Sequence, residues 1–209
     1  MTAMIEAYYD FRSPYAYFAN CRARSGPFAL PTGVEWVWRP ASIDVLLNLQ
    51  AGRDAWATYT DPLSPPKRAH LVADVRRNAA FYGIALRPPQ PPRQNSVPAL
   101  CVAASLDAGE RSFRNAVFDA LWQEQRDISD PRVLEDCLAV AGQNKNLVDR
   151  AFSREARHLL AADTERAYAA GVFGVPTFVV NDEIFFGNDR LELLAWRLKQ
   201  GSDRGSRSH

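Results

Sequence analysis

Three short stretches carry side chains whose type and spacing suit chemistry. In Phe11-Arg12-Ser13-Pro14-Tyr15-Ala16-Tyr17 a serine precedes a proline at what reads as the start of a helix. Serine is favoured at the N-cap and proline at the first helical position. A hydroxyl among the first N–H groups of a helix lies where the field favours an anion. The same pair serves equally well as a plain helix cap. In Gly174-Val175-Pro176-Thr177-Phe178 a proline enters a strand, where no ladder donor is lost. A cis Val175–Pro176 bond would turn the Val175 backbone toward solvent, so that its N–H and C=O pair with an extended peptide like an added strand. A simple strand-entry turn is the other reading. In Phe186-Gly187-Asn188-Asp189-Arg190, Gly187 permits close backbone approach and Asp189 can accept from a ligand ammonium. Asn188 or Asp189 can equally do no more than cap the last helix.

The other chemistry-bearing residues exclude more than they suggest. The chain of 209 residues has three cysteines, Cys21, Cys101 and Cys137, and no CxxC. That rules out a dithiol redox site and a zinc ribbon, and the sparse, odd count fits a reducing compartment. His70, His158 and His209 stand too far apart for a sequence-local metal cluster, so no metal is expected. Lys plus Arg is 25 and Asp plus Glu is 24, a net charge of +1, which rules out a broad cationic field for nucleic acid. Hydrophobic residues make up 47%, enough for a core. Met1 to Phe11 carries Glu6 and Asp10 and no basic n-region, so it is not read as a signal peptide. No apolar run approaches the roughly 18 residues a membrane span needs. A cytoplasmic protein is the expectation.

These stretches need elements to position them. Ile5 to Phe11 reads as a strand, Ser13-Pro14 opens a helix that Gly26-Pro27 stops, and Val34 to Val37 reads as a second strand. Together they suggest a right-handed βαβ unit. Ile43 to Leu49 is a helical fragment and Asp61 to Pro66 a loop. Leu71, Val75, Ala79 and Tyr82 give helical spacing over Lys67 to Tyr82. Arg87 to Pro92 reads as extended polyproline loop. Further helices are predicted over Val97–Ala108, Ser112–Gln125, Pro131–Ala141 and Ser153–Ala170. Thr177–Val180 and Glu183–Phe186 flank Asn181-Asp182 as a hairpin, followed by an amphipathic helix over Asp189–Lys199.

The plan is an α/β, thioredoxin-like fold with a large all-helical domain inserted between its βαβ and ββα halves. Residues 1–42 and 169–200 would form the discontinuous thioredoxin-like domain, 43–168 the insertion, and 201–209 a frayed, flexible tail. In such folds the position of Ser13 holds the reactive cysteine, and Ser13 and Ala16 occupy the places of a CxxC pair. The chain therefore has no thiol of its own there for disulfide exchange, although it can still bind a thiol from elsewhere.

YYDFRSPYAYFAN, KRAHLVADVRRNAAFYGI, RDISDP, GVFGVPTF and FFGNDRLELL, in that order, resemble the 2-hydroxychromene-2-carboxylate isomerases. These are grouped with kappa-class glutathione transferases and DsbA-like proteins. The resemblance covers residues 4 to 198. It implies a glutathione site and a glutathione-dependent isomerisation of a small aromatic carboxylate, as in naphthalene-type catabolism, in a homodimer. Ser13 matches the catalytic serine, which donates to the glutathione sulfur. Val175, ahead of Pro176, matches the residue that pairs with the cysteinyl backbone. Phe186, Gly187, Asn188 and Asp189 match the γ-glutamyl-binding segment. Lys67 matches the lysine that reaches the glycyl carboxylate.

The match is poorer at the substrate positions. Asn48 or Leu49 stands where family members carry a lysine, Asp61 where they carry an asparagine, and Pro91-Pro92-Arg93 where they carry a tyrosine. Arg39 or Arg93 is the candidate for a substrate carboxylate, against the commoner solvated arginine. Trp36, Trp38, Trp122 and Trp196 read as core or interface, and Cys21 as a small buried hydrophobe. Two further functions share these motifs: a kappa-like transferase that releases a conjugate, and a non-catalytic glutathione- or peptide-binding protein.

Overall fold

A buried strand carries the fold. In the computed structural model, which describes residues 4–25, 30, 33–58, 63–106 and 109–206, β1 (Met4–Tyr9) lies in the middle of a four-stranded sheet. Ile5, Ala7 and Tyr9 are fully buried on one face and Tyr8 is buried on the other. Such two-faced burial suits a central strand of a mixed sheet. The helix α1 (Pro14–Ser25) crosses over to β2 (Glu35–Pro40), which runs parallel to β1 with Met4 opposite Glu35 and Tyr9 opposite Pro40. A parallel pair requires such a crossover. On the other side β1 pairs antiparallel with β3 (Thr177–Val180), which turns back into β4 (Glu183–Phe186). The sheet order is β2-β1-β3-β4. Asn181 and Asp182 both have positive φ, the geometry a two-residue hairpin turn demands.

Between the two halves come α2 (Ile43–Gln50), α3 (Pro65–Tyr82), α4 (Val97–Ala104), α5 (Glu110–Trp122), α6 (Pro131–Val140), α7 (Leu147–Ala151) and α8 (Arg154–Ala169). After β4 a 3-10 turn over Asn188–Arg190 leads into α9 (Leu191–Ser206). The thioredoxin-like plan with a helical insertion is therefore the observed one. No described helix is long and apolar enough to cross a membrane.

Three clusters hold the layers. Ile5, Ala7, Phe178, Val180 and Phe185 pack against Ala19 of α1 and Leu191, Leu194 and Leu198 of α9. On the opposite face Tyr8 and Val175 meet Leu46 of α2 and Ala167 of α8. The largest cluster joins Tyr9, Phe11, Tyr17 and Phe18 to Phe113, Phe118 and Trp122 of α5. Tyr17 stacks on Trp122 at 6.0 Å, and the Trp122 indole N–H donates to the Phe11 carbonyl at 2.8 Å. A buried indole needs such a partner. The insertion is thus tied to the segment immediately ahead of Ser13.

Several sequence expectations need correction. The helix α3 starts at Pro65, inside the predicted loop, because first-turn N–H groups have no intrahelical acceptor and proline loses nothing there. The helix α4 ends at Ala104 rather than Ala108, and α7 was not foreseen. Arg87–Pro92 is irregular, with a cis Gln90–Pro91 bond. The helix α9 continues through Gly201 to Ser206 instead of fraying after Lys199, while 207–209 lie outside the described residues, as does Gly26-Pro27. Trp196 is exposed, which removes the core half of its core-or-interface reading, and Cys21 is only half-buried.

Candidate functional site

Ser13 sits where β1 gives way to α1. Its N–H donates to the Asp10 carbonyl at 3.0 Å, and its carbonyl accepts from Tyr17 at 3.0 Å, the first bond of the helix. Its Oγ accepts from the Ala16 N–H at 3.2 Å, an N-cap, and donates to the Val175 carbonyl at 3.2 Å. The residue is only 5% exposed. A hydroxyl at a helix N-terminus is expected from the sequence to face outward; the structure turns that of Ser13 inward, because a buried O–H needs an acceptor and Val175 supplies one. Asp10 fixes the turn itself. Its buried carboxylate accepts from the N–H of Arg12 at 2.9 Å and from Ile43, the first residue of α2, at 3.0 Å.

The second stretch meets the first here. The Val175–Pro176 bond is cis. The Val175 carbonyl, expected to face an incoming peptide, already holds the Ser13 hydroxyl, leaving one lone pair for another donor. Thr177 Oγ1 donates to the Gly174 carbonyl at 2.6 Å. The third stretch closes on the second: the Gly187 N–H donates to the Pro176 carbonyl at 2.9 Å. Gly187 has φ +111, and a side chain there would strain the backbone and meet Asp189. A Cβ on Gly174 would lie 2.8 Å from the Phe186 ring, so this glycine lets Phe186 lie over the loop beside Phe173, whose ring is 4.7 Å away.

Within the third stretch the two polar residues face opposite ways. Asn188 is buried, and its carbonyl accepts from the Arg22 guanidinium of α1. The Asp189 side chain is 59% exposed, with the Arg190 guanidinium 3.5 Å away. Lys67 is exposed in the first turn of α3. That helix is tied to α1 by the Tyr15 hydroxyl, which donates to Asp74 at 2.8 Å. Burial, and then the bond to Asp74, raises the Tyr15 phenol well above its ordinary range. The same bond holds the Asp74 carboxyl below its ordinary value.

The substrate candidates separate. Arg93 reaches Asp44 at 2.8 Å, and the same Asp44 oxygen takes Arg12, next to Ser13, at 2.9 Å. Asn48, one turn beyond Asp44 on α2, is fully buried. Its amide donates to the carbonyls of Ala55 at 3.0 Å and Ala57 at 2.8 Å, which closes the loop after α2 rather than presenting a side chain to a ligand. Arg39 is paired with Glu6 at 2.5 Å and lines a groove of about 660 Å³ along the outer edge of β2. None of Ser13, Val175, Phe186 and Asp189 lines that groove. Asp61 lies outside the described residues. Sequence reasoning missed Asp10, Arg12, Asp44 and Arg22. Arg12 and Asp10 carried a local signal, their closeness to Ser13; Asp44 and Arg22 act through partners distant in the chain.

The protein's own thiols are poor nucleophiles. Burial pushes Cys21 and Cys101 up to about 11 and Cys137 up to about 12. All three are free cysteines. What the site offers is a hydroxyl at a helix N-terminus, a carbonyl beside a cis proline and an exposed carboxylate on an adjoining turn.

A sheet of this order, a cis proline facing the head of α1 and a helical insertion define a thioredoxin-fold protein of the DsbA type. The chain belongs to the DSBA-like thioredoxin domain family, whose model matches residues 4–199. It is similar to the 2-hydroxychromene-2-carboxylate isomerase of Sphingobium xenophagum, with 28% identity over 93% of this chain and 97% of the relative. Its identity to glutathione S-transferase kappa 1 of Caenorhabditis elegans is 22%, over 94% of this chain and 91% of the relative. A solved 2-hydroxychromene-2-carboxylate isomerase superposes with a TM-score of 0.78 at 23% identity, over 97% of this chain and 98% of that one. The family resemblance noted in the sequence is thus matched by these relatives.

Proposed function

We propose that this protein is a glutathione-dependent isomerase acting on 2-hydroxychromene-2-carboxylate-type compounds, with the glutathione thiolate as a recycled nucleophile. The observation that carries the reading is Ser13: a hydroxyl stands at the head of α1, bonded to the carbonyl ahead of the cis proline. The similarity to an isomerase and to a kappa-class glutathione transferase supports the same ligand and chemistry.

In this reading Val175 pairs with the cysteinyl backbone of glutathione, Asp189 and the Phe186–Asn188 backbone take the γ-glutamyl end, and Lys67 takes the glycyl carboxylate. The Ser13 hydroxyl rotates from Val175 to the sulfur. A free thiol with pKa near 8.5 is only a few per cent ionised at neutral pH. A hydroxyl donor and a helix N-terminus that lower it by one to two units supply about 1.4–2.7 kcal/mol. The thiolate adds to one carbon of the chromene C=C bond and a proton to the other, which makes that bond single. The ring C–O bond breaks as the hemiketal hydroxyl becomes the ketone and its proton passes to the phenol oxygen. Rotation about the new single bond follows, and the added proton is lost. Elimination then expels the thiolate and leaves the trans-benzylidenepyruvate. Glutathione is returned unchanged, and the net reaction is an isomerisation. Arg93, beside Arg12 and Asp44, is the candidate for the substrate carboxylate, in a cytoplasmic homodimer.

A second reading, a transferase that releases the conjugate, is favoured by the kappa-class similarity. Product analysis separates them. An isomerase shifts the chromene absorbance only when glutathione is present and leaves the glutathione concentration constant. One glutathione consumed per turnover means transfer. No reaction and no calorimetric signal with glutathione removes both readings.

A further inference from the structure

The proposed γ-glutamyl segment is held by a buried cation that no part of the reading above uses. Arg22 lies on α1, between two and three turns beyond Ser13, and its side chain is 4% exposed. One terminal nitrogen donates to the Asn188 carbonyl and lies 3.5 Å from the Asn188 side-chain oxygen. The other terminal nitrogen donates to Glu192 in the first turn of α9. The guanidinium carbon sits 4.2 Å above the ring of Tyr82, at the end of α3. A single planar group thus joins the helix that begins at Ser13, the turn that carries Asp189 and the helix that begins near Lys67.

We propose that Arg22 is a positioning residue for the glutathione site: by fixing the carbonyl of Asn188 it sets the 3-10 turn so that Asp189 projects outward. This rests on the glutathione reading of the site. The physical reason is the fork of the guanidinium. Its two terminal nitrogens point in fixed directions, so a backbone carbonyl and a carboxylate four residues later are held in one mutual geometry. A flat, delocalised cation also lies well over an aromatic ring. Buried Asn188 supplies the grip, and exposed Asp189, one residue on, is what the grip aims. A lysine keeps the charge but offers one compact head, which cannot hold both partners and stack.

Arg22→Lys tests this, with Tyr82→Leu as a second variant that removes the phenol ring beneath the guanidinium, its hydroxyl included, and leaves Arg22 in place. The expected result for Arg22→Lys is a 5- to 20-fold rise in the KM for glutathione, about 1–2 kcal/mol, with kcat at saturating glutathione within threefold of the parent. Tyr82→Leu should give a smaller shift in the same direction. Faster amide exchange over residues 187–192 in both variants, read without any ligand, should accompany the change. A purely structural role would lower the melting temperature and the active fraction while leaving KM for the surviving enzyme unchanged. That outcome, or unaltered exchange over 187–192, overturns the proposal. If the unmodified protein gives no heat with glutathione, the functional reading is what falls, and amide exchange alone then decides whether Arg22 sets the turn.

Discussion

The Ser13 hydroxyl donates to the carbonyl of Val175 at 3.2 Å, across a separation of 162 residues in the chain. This bond brings the first and second of the three chemically suggestive stretches to one point. It also gives the buried hydroxyl its acceptor.

Ser13→Ala removes that donor and the cap on Ala16 together. The expected outcome is a fall in turnover of about 10- to 1,000-fold, since one anion-stabilising donor is lost. Loss of the cap should lower stability by about 1 kcal/mol, visible in urea unfolding. Undiminished turnover in a folded variant would remove Ser13 from the chemistry.

Asp189→Ala leaves the core untouched, because the side chain is exposed. Deleting one charge-assisted partner of an ammonium should weaken glutathione binding about tenfold by calorimetry. Turnover at saturating glutathione should change little. Equal affinity in the two proteins would show that the γ-glutamyl end lies elsewhere.

Tyr15 and Asp74 predict a pH dependence. The Tyr15 hydrogen bond, the largest cause, holds the Asp74 carboxyl below its ordinary value in the folded state. A depressed carboxylate stabilises the fold at pH values above its unfolded pKa, and that stability is lost as pH falls through the folded one. Tyr15→Phe should therefore be less stable than the parent at neutral pH. The gap should narrow below about pH 4. Urea midpoints measured from neutral to acid pH test this; a gap that widens in acid contradicts it.

Asn48→Ala distinguishes a structural amide from a substrate contact. Two loop carbonyls, of Ala55 and Ala57, lose their donor. Each of these part-buried hydrogen bonds is worth about 0.5–1.5 kcal/mol. The expected signature is a large drop in unfolding midpoint with an unaltered KM for the carboxylate substrate. The reverse pattern would return Asn48 to the substrate pocket.

The hairpin was fully legible in the sequence, because Thr177–Val180 and Glu183–Phe186 are apolar runs about a turn pair that tolerates positive φ. Ser13-Pro14 announced its helix for an equally local reason, a cap followed by a residue with preset φ. Local signals misled at Pro65, where two prolines suggested a loop but occupy a first helical turn. They were absent for Leu147–Ala151, which is too short to show a period. At the site the same division holds. Ser13, Val175, Gly187 and Asp189 stood out by type and neighbourhood, whereas the inward turn of the Ser13 hydroxyl depends on an acceptor in a distant segment. Nothing next to Arg22 in the chain marks it, because its partners Tyr82, Asn188 and Glu192 come from three later stretches.

The sheet order has a cost during translation. β1 gains β2 soon after it emerges from the ribosome, but its other edge is completed only by β3, which begins at Thr177. Throughout synthesis of the helical insertion the nascent chain carries a strand with one bare edge, the kind of surface that invites wrong pairing. Val175 is delivered two residues before that edge is closed. A message cut short upstream of this point yields a polypeptide with an open sheet and no acceptor for the Ser13 hydroxyl, so the same late stretch that silences the edge also satisfies the head of α1.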